Sequence, residues 1–83
     1  MNIIELDVRD LPSPEPMQAA LSALVKLKEG DIIHFHHRIK PDMLLPRLNN
    51  YFYEMIEDDE VHIYICKKDD ALCQQSIKEL IGN

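Results

Sequence analysis

The sequence predicts an α/β (α+β) two-layer sandwich, built in the order β-α-β-α-β-β and followed by a C-terminal helix. Three observations lead to this fold class. Several segments alternate apolar and polar residues, the segments between them carry apolar residues at helical spacing, and the length of 83 residues suits one small domain. Right-handed crossovers then place two helices on the same face of the sheet. The other face is open unless a further element covers it.

The first strand and the first helix come from the N-terminal third of the chain. The segment "IIELDV" alternates Ile4, Leu6 and Val8 with a more polar set, which is strand periodicity. The segment "PEPMQAALSALVKLKEG" has helical spacing, and Gly30 follows it where a left-handed residue can end a helix. The apolar positions of this helix are Met17, Ala20, Leu21, Leu24, Val25 and Leu27.

The second strand carries the histidines. In "DIIHFHHR" the apolar residues face one way, while His34, His36 and Arg38 face the other way. The segment "KPDMLLPRLNNYF" then predicts a short second helix that opens at Pro41. Pro46 lies inside this segment, and because proline lacks a backbone N–H it should kink or delay the helix.

Two more strands and a helix complete the chain. "YEMIED" and "EVHIYICK" are strands around an acidic turn, and His62, Tyr64 and Cys66 face outward from the second one. The helix "DALCQQSIKELIGN" begins at Asp70, a possible N-cap. Its apolar stripe must be buried, either against its own domain or in a dimer. The stripe consists of Leu72, Cys73, Ile77, Leu80 and Ile81.

Charge and composition exclude several classes of function. Fifteen acidic residues against nine basic ones give a formal charge of −6, which repels a nucleic acid backbone. No apolar run approaches the roughly 20 residues of a membrane helix, and we see no signal-peptide pattern. We therefore expect a cytoplasmic protein with no nucleic acid or membrane partner, either a monomer or a homodimer.

The opening segment "LDVRDLPSPEP" resembles that of the TusA/SirA-like sulfur-carrier family, in which Leu-Asp-x-Arg leads into a Cys-Pro-x-Pro helix start. "LKEGDIIHFHHRIKP" and "YEMIEDDEVHIYICKK" are similar to its second strand and closing hairpin, and most similar to an uncharacterised branch, a domain of unknown function. The resemblance covers residues 3–68. It implies a mixed four-stranded sheet of order 1-2-4-3, with residues 1–68 as the TusA-like domain and residues 69–83 as a helix packed on it.

The chain departs from that family at the carrier position. By the resemblance the sulfur-carrying cysteine corresponds to Ser13, and Asp10 replaces the usual glycine. A helix N-terminus lowers the pKa of a thiol but cannot ionise a serine hydroxyl, so direct sulfur transfer is lost. We interpret Ser13 as the N-cap of the first helix, with Pro14 in the first helical position and the Ser13 hydroxyl accepting the Glu15 N–H.

The edge of the sheet beside this helix start is the first candidate site. Basic residues there, Lys40 among them, can bind a small anion or an acidic partner, although Arg9 can instead pair with neighbouring aspartates. The predicted function is a non-catalytic small-ligand or protein-interaction module. A nucleophilic Ser13 is disfavoured because no oxyanion-loop motif accompanies the nearby His36 and His37. The candidate binding residues are Arg9, Ser13, Glu15 and Arg38.

The polar face of the sheet is the second candidate site. If the fourth strand neighbours the second, imidazoles and a thiol converge there, a combination that suits zinc or copper. The alternative is a semi-polar face that is solvated, self-associating or covered by the C-terminal helix. A metal- or redox-responsive domain is thus the alternative function, and a sulfur-relay-related protein that acts with a partner is a further one. The candidate metal ligands are His34, His36, His62 and Cys66.

Overall fold

The computed structural model describes residues 1–82 and has the predicted α+β architecture. The strands form one sheet of order β1-β2-β4-β3, which is the order that the resemblance implied. β1 and β2 are parallel and the other two pairings are antiparallel, so the sheet is mixed. The elements are β1 (Asn2–Asp7), α1 (Glu15–Lys26), β2 (Asp31–His37), a 3-10 helix (Leu45–Leu48), β3 (Tyr51–Glu57), β4 (Val61–Lys67) and α2 (Ala71–Gly82).

The main core lies between one face of the sheet and α1. Alternation along β2 sends Ile33 and Phe35 to this face, and both are completely enclosed. On α1, Ala20 and Leu24 pack against them because they lie four residues apart on one helix face. Val25 is 86% exposed, so its place in the predicted apolar stripe is wrong. Five residues beyond Ala20, it points well away from the sheet.

The segment after β2 contains less helix than predicted. Instead of a helix opening at Pro41, the structure has turns followed by the 3-10 helix Leu45–Leu48. Pro46 lies in the first turn of this short helix, where its missing N–H is tolerated. The segment is fixed by Leu44 and Leu48, which are buried in the main core.

The C-terminal helix, α2, packs on the opposite face of the sheet. Its Cys73 and Ile77 are buried there against Ile32 and Cys66, which alternate with the residues of the main core. Two members of the predicted stripe are exposed instead, Leu72 strongly and Leu80 by about half. The stripe prediction is wrong for these residues because only positions four apart on α2 meet the sheet.

Asp70 is the N-cap of α2, as predicted. One carboxylate oxygen accepts the Cys73 N–H at 3.1 Å, and the other accepts the Gly30 N–H at 2.7 Å. Asp70 therefore joins the start of α2 to the turn before β2, where Gly30 has a φ of +91°. Across residues 1–82, no helix is both long enough and apolar enough to cross a membrane.

Candidate functional site

The start of α1 differs from its prediction. The N-cap is Pro14, which offers no side-chain hydrogen bond, and the helix begins at Glu15. The Glu15 N–H donates to the carbonyl oxygen of Pro12 at 2.9 Å. The prediction that Ser13 caps the helix is therefore wrong, because a backbone carbonyl already accepts the N–H that its hydroxyl was expected to bind. Ser13 is exposed.

Ser13 instead lines a cavity of about 680 Å³ between the start of α1 and the segment that follows β2. The base of the cavity is formed by core residues such as Phe35 and Leu44. Its rim is apolar and exposed, and Met43 is 78% exposed there. The exposed apolar residues of the rim are Leu11, Ile39 and Met43.

The charged residues that line the cavity are three basic ones and one acidic one, Asp42. Arg9, Arg38 and Lys40 are the basic ones, so three of the four predicted binding residues (Arg9, Ser13 and Arg38) meet at one place. Glu15, the fourth, is exposed and is not part of the described lining. Arg38 Nη2 lies 3.0 Å from Asp10 Oδ1, in an ion pair whose two side chains are largely exposed.

His37 completes this side of the cavity. Its Nδ1 accepts the Arg38 N–H at 2.8 Å, and its ring lies edge-on to Phe35 with the ring centroids 5.8 Å apart. Burial, reinforced by the positive charge of Arg38, lowers the pKa of His37. The ring is therefore a neutral acceptor at neutral pH.

The other three histidines lie together on the opposite face of the sheet. His36 and His62 are directly paired between β2 and β4, and their stacked rings have centroids 4.1 Å apart. The ring of His34 lies 5.1 Å from that of His62 and stacks on Tyr64 at 4.6 Å. We call His34, His36, His62 and Tyr64 the histidine face. The structure thus brings together His34, His36 and His62, three of the four predicted metal ligands.

Hydrogen bonds connect the histidine face to acidic residues on both sides. His34 Nδ1 lies 2.6 Å from Glu5 Oε1, and His34 Nε2 lies 2.9 Å from His62 Nδ1. At the other end His36 Nε2 lies 2.7 Å from Glu60 Oε1. The hydrogen bond from His36, with a second one from Arg9, lowers the pKa of Glu60. Burial lowers the pKa of His62.

Arg9 belongs to both regions. It lines the cavity, but its guanidinium also holds Asp7 with a contact of 2.7 Å and Glu60 with one of 3.3 Å. The Arg9 hydrogen bonds keep the pKa of the Asp7 carboxyl far below its usual range. The expected pairing of Arg9 with a neighbouring aspartate is therefore present, and it sets the direction of this side chain.

The chain from β1 to β4, which carries both regions, matches a known family. The family described as "Uncharacterized conserved protein (DUF2249)" matches residues 5–68. The chain belongs to this family. The part of the prediction that named an uncharacterised domain is thereby confirmed, and α2 lies beyond the matched segment of the DUF2249 domain. No curated protein and no solved structure matches the chain.

Cys66 does not join the histidines of the DUF2249 domain. It lies under α2, four residues along β4 from His62, or about 13 Å away. Its thiol donates to the Lys67 carbonyl oxygen at 3.4 Å, and burial raises its pKa to about 12. The predicted convergence of Cys66 with the histidines is wrong because α2 packs over its end of the sheet and leaves the histidines outside that apolar cluster.

The residue beside the histidines is Glu60 and not Cys66. It lies in the turn before β4 and contacts His36. Glu60 was not among the predicted site residues, because residues 57–60 were interpreted only as an acidic turn. A signal was available, since Glu60 and His62 are two residues apart and would share a face if the strand continued backward.

Proposed function

We propose that this protein is a non-catalytic binding module that takes, in the cavity beside α1, a small molecule with an apolar body and an anionic group. The observation that carries this proposal is the cavity of about 680 Å³, which joins an exposed apolar rim to basic side chains. Ligand pockets typically have about 300–1,000 Å³ and apolar walls with a few polar groups. A ligand that covers the exposed apolar rim removes apolar surface from water, which favours binding.

The basic lining supports an anionic group on the ligand. Lys40 has no ion-pair partner among residues 1–82. The pair between Arg38 and Asp10 is exposed, and exposed pairs contribute little to stability. The guanidinium of Arg38 can therefore exchange Asp10 for a ligand carboxylate, sulfonate or phosphate and bind it with two parallel hydrogen bonds.

The same cavity supports the relation that we propose to the TusA-like superfamily. The strand order 1-2-4-3 agrees with that superfamily's sheet, and Ser13, at the position of the carrier cysteine, lines the cavity. In our proposal the surface around a lost carrier thiol has been kept for binding. The alternative role in a sulfur relay needs a reactive thiol, and burial raises the pKa of Cys66 and of Cys73.

The remaining parts of the proposal follow from the composition. The charge of −6 supports a module with no nucleic acid partner. We propose a cytoplasmic location, because Cys66 and Cys73 are free and buried rather than joined in a disulfide. A partner protein that inserts an apolar, acidic segment into the cavity would use the same chemistry as the small ligand.

The test uses anilinonaphthalene sulfonate, a fluorescent probe with an apolar body and a sulfonate. We expect one probe molecule to bind each folded chain. Met43→Glu should weaken this binding at least about tenfold, because it places a carboxylate on the apolar rim. Arg38→Gln should weaken it less, through loss of the cationic partner. Fluorescence titration at constant ionic strength measures all three proteins.

Leu72→Glu is the matched control, because Leu72 is as exposed as Met43 but lies on α2. It should leave probe binding unchanged. Equal binding by the wild-type protein and Met43→Glu would contradict the proposal. So would a loss of binding in Leu72→Glu, because the probe would then be binding elsewhere. Far-UV circular dichroism and the melting temperature confirm that each variant is folded before titration.

A further inference from the structure

We propose that His36, His62 and Glu60 bind a divalent first-row transition metal ion, and that His34 and Glu5 orient His62 for this purpose. This site lies on the opposite face of the sheet from His37 and the cavity wall, and the inference does not depend on what the cavity binds. One potential ligand atom from each of His36, Glu60 and His62 lies within 4.8 Å of the others. No residue of α2 belongs to this group.

The backbone holds the two histidines in register. His36 and His62 are direct partners across the antiparallel β2 and β4 pair, so their Cα atoms are fixed by the sheet. A tetrahedral zinc ion with bonds of about 2.0–2.2 Å needs ligand atoms about 3.3–3.6 Å apart. The ligand atoms lie within 4.8 Å of one another, so a change of about 1 Å in their separations would give this geometry, and the side chain of Glu60 lies in a turn.

The hydrogen bonds that join Glu5, His34 and His62 leave one nitrogen of His62 free of a proton. The Glu5 carboxylate can only accept, so the proton of this bond is on His34 Nδ1. In neutral His34 the Nε2 atom is then an acceptor, and His62 Nδ1 donates to it. Neutral His62 consequently has its lone pair on Nε2, the atom that can bind a metal. Metal-bound histidines characteristically donate their other N–H in this way.

The bond between His36 and Glu60 is the second part of the site. His36 Nε2 and Glu60 Oε1 are 2.7 Å apart and share one proton. A metal ion between them replaces that proton, and a neutral His36 ring then carries its proton on Nδ1. For a neutral His36 ring this exchange moves one proton from Nε2 to Nδ1 and releases none. The ion also takes over the role of the weaker Arg9 contact with Glu60, and Arg9 keeps its shorter contact with Asp7.

The ligand set indicates the class of metal. Imidazole nitrogens suit zinc, copper, iron and nickel, whereas calcium and magnesium prefer oxygen ligands. Two histidines and one carboxylate fill three positions and leave at least one for water or another small ligand. The site is therefore an open one, with the metal ion accessible from the solvent side of the sheet. Buried Cys66 has no place in it.

The experiment is a titration of the untagged full chain with Zn²⁺ by isothermal calorimetry, repeated with Co²⁺ by absorption spectroscopy. We expect one ion per chain. His36→Ala and His62→Ala should each abolish stoichiometric binding. His34→Ala, which removes only the orienting contact, should weaken it about 10–100-fold. His37→Ala is the matched control, because His37 adjoins His36 in sequence but faces the cavity, and it should bind Zn²⁺ like the wild-type protein.

Nuclear magnetic resonance of the histidine ring nitrogens in the wild-type protein is the second measurement, and it needs no variant. We expect His62 to carry its proton on Nδ1 and Zn²⁺ to perturb its Nε2. The proposal is overturned if the wild-type protein lacks stoichiometric Zn²⁺ binding or if His37→Ala weakens binding as much as His36→Ala does. A thiolate-to-cobalt charge-transfer band would also overturn it, since Cys66 or Cys73 would then be a ligand.

Discussion

The docking of α2 makes a sharp prediction about stability. Ile77 is 0% exposed and packs with Ile32, Cys66 and Cys73, so Ile77→Ala removes most of a buried side chain from a small cluster. Such a substitution costs about 2–5 kcal/mol. A domain of 83 residues has a total free energy of unfolding of about 4–12 kcal/mol. The variant therefore loses a large part of its stability, and its melting temperature should fall by at least about 8 °C.

Leu72→Ala is the comparison that tests the reasoning. Leu72 belongs to the same apolar stripe in the sequence, but it is 82% exposed and lies five residues before Ile77, on another side of α2. Its replacement should change the free energy of unfolding by no more than about 0.5 kcal/mol. Urea unfolding followed by far-UV circular dichroism measures both variants. Equal losses in the two variants, or a loss below about 1 kcal/mol for Ile77→Ala, would refute the docking of α2 described above.

Three further predictions concern backbone conformation, acid stability and thiol reactivity. Gly30→Ala should lower the free energy of unfolding by about 1–2 kcal/mol in a thermal melt, because the φ of Gly30 is +91°. An added Cβ meets nothing within 4 Å, so backbone strain is the only expected cause, and an unchanged melting temperature would contradict it. The N–H groups of Gly30 and Cys73 lower the pKa of Asp70, so its contribution to stability is present above the ordinary value of 3.8 and is lost as the pH falls through the lower folded value. Asp70→Asn should flatten this acid limb of urea stability measured from about pH 6 to about pH 3, and an unaltered limb would contradict the assignment. Burial raises the pKa of Cys66 to about 12 and that of Cys73 to about 11, so both thiols should react with a disulfide reagent far more slowly in the native protein than in urea, and rapid native reaction would show that α2 opens.

Local patterns in the sequence were enough to predict the four strands, the first helix and the side of the sheet on which the histidines lie. The start of β3 is the exception, because Tyr51 and Phe52 were assigned to the preceding helix. Alternation in "DIIHFHHR" separates Phe35 from His34 and His36 because a strand has a period of two, whatever it pairs with. Asp70 was predictable as an N-cap for a similar reason, since capping involves only the next few residues. The family resemblance supplied the strand order, which no local pattern contains.

The tertiary structure alone decided which residues meet. Glu60 reaches His36 because β2 pairs with β4 in one register, and Cys66 is removed from the histidines because α2 docks over one end of the sheet. Ser13 lines a cavity, and the Glu15 N–H that its hydroxyl was expected to bind donates to the Pro12 carbonyl oxygen. Pairing register and docking direction depend on contacts between residues far apart in the chain, and a pattern read along the chain does not specify them.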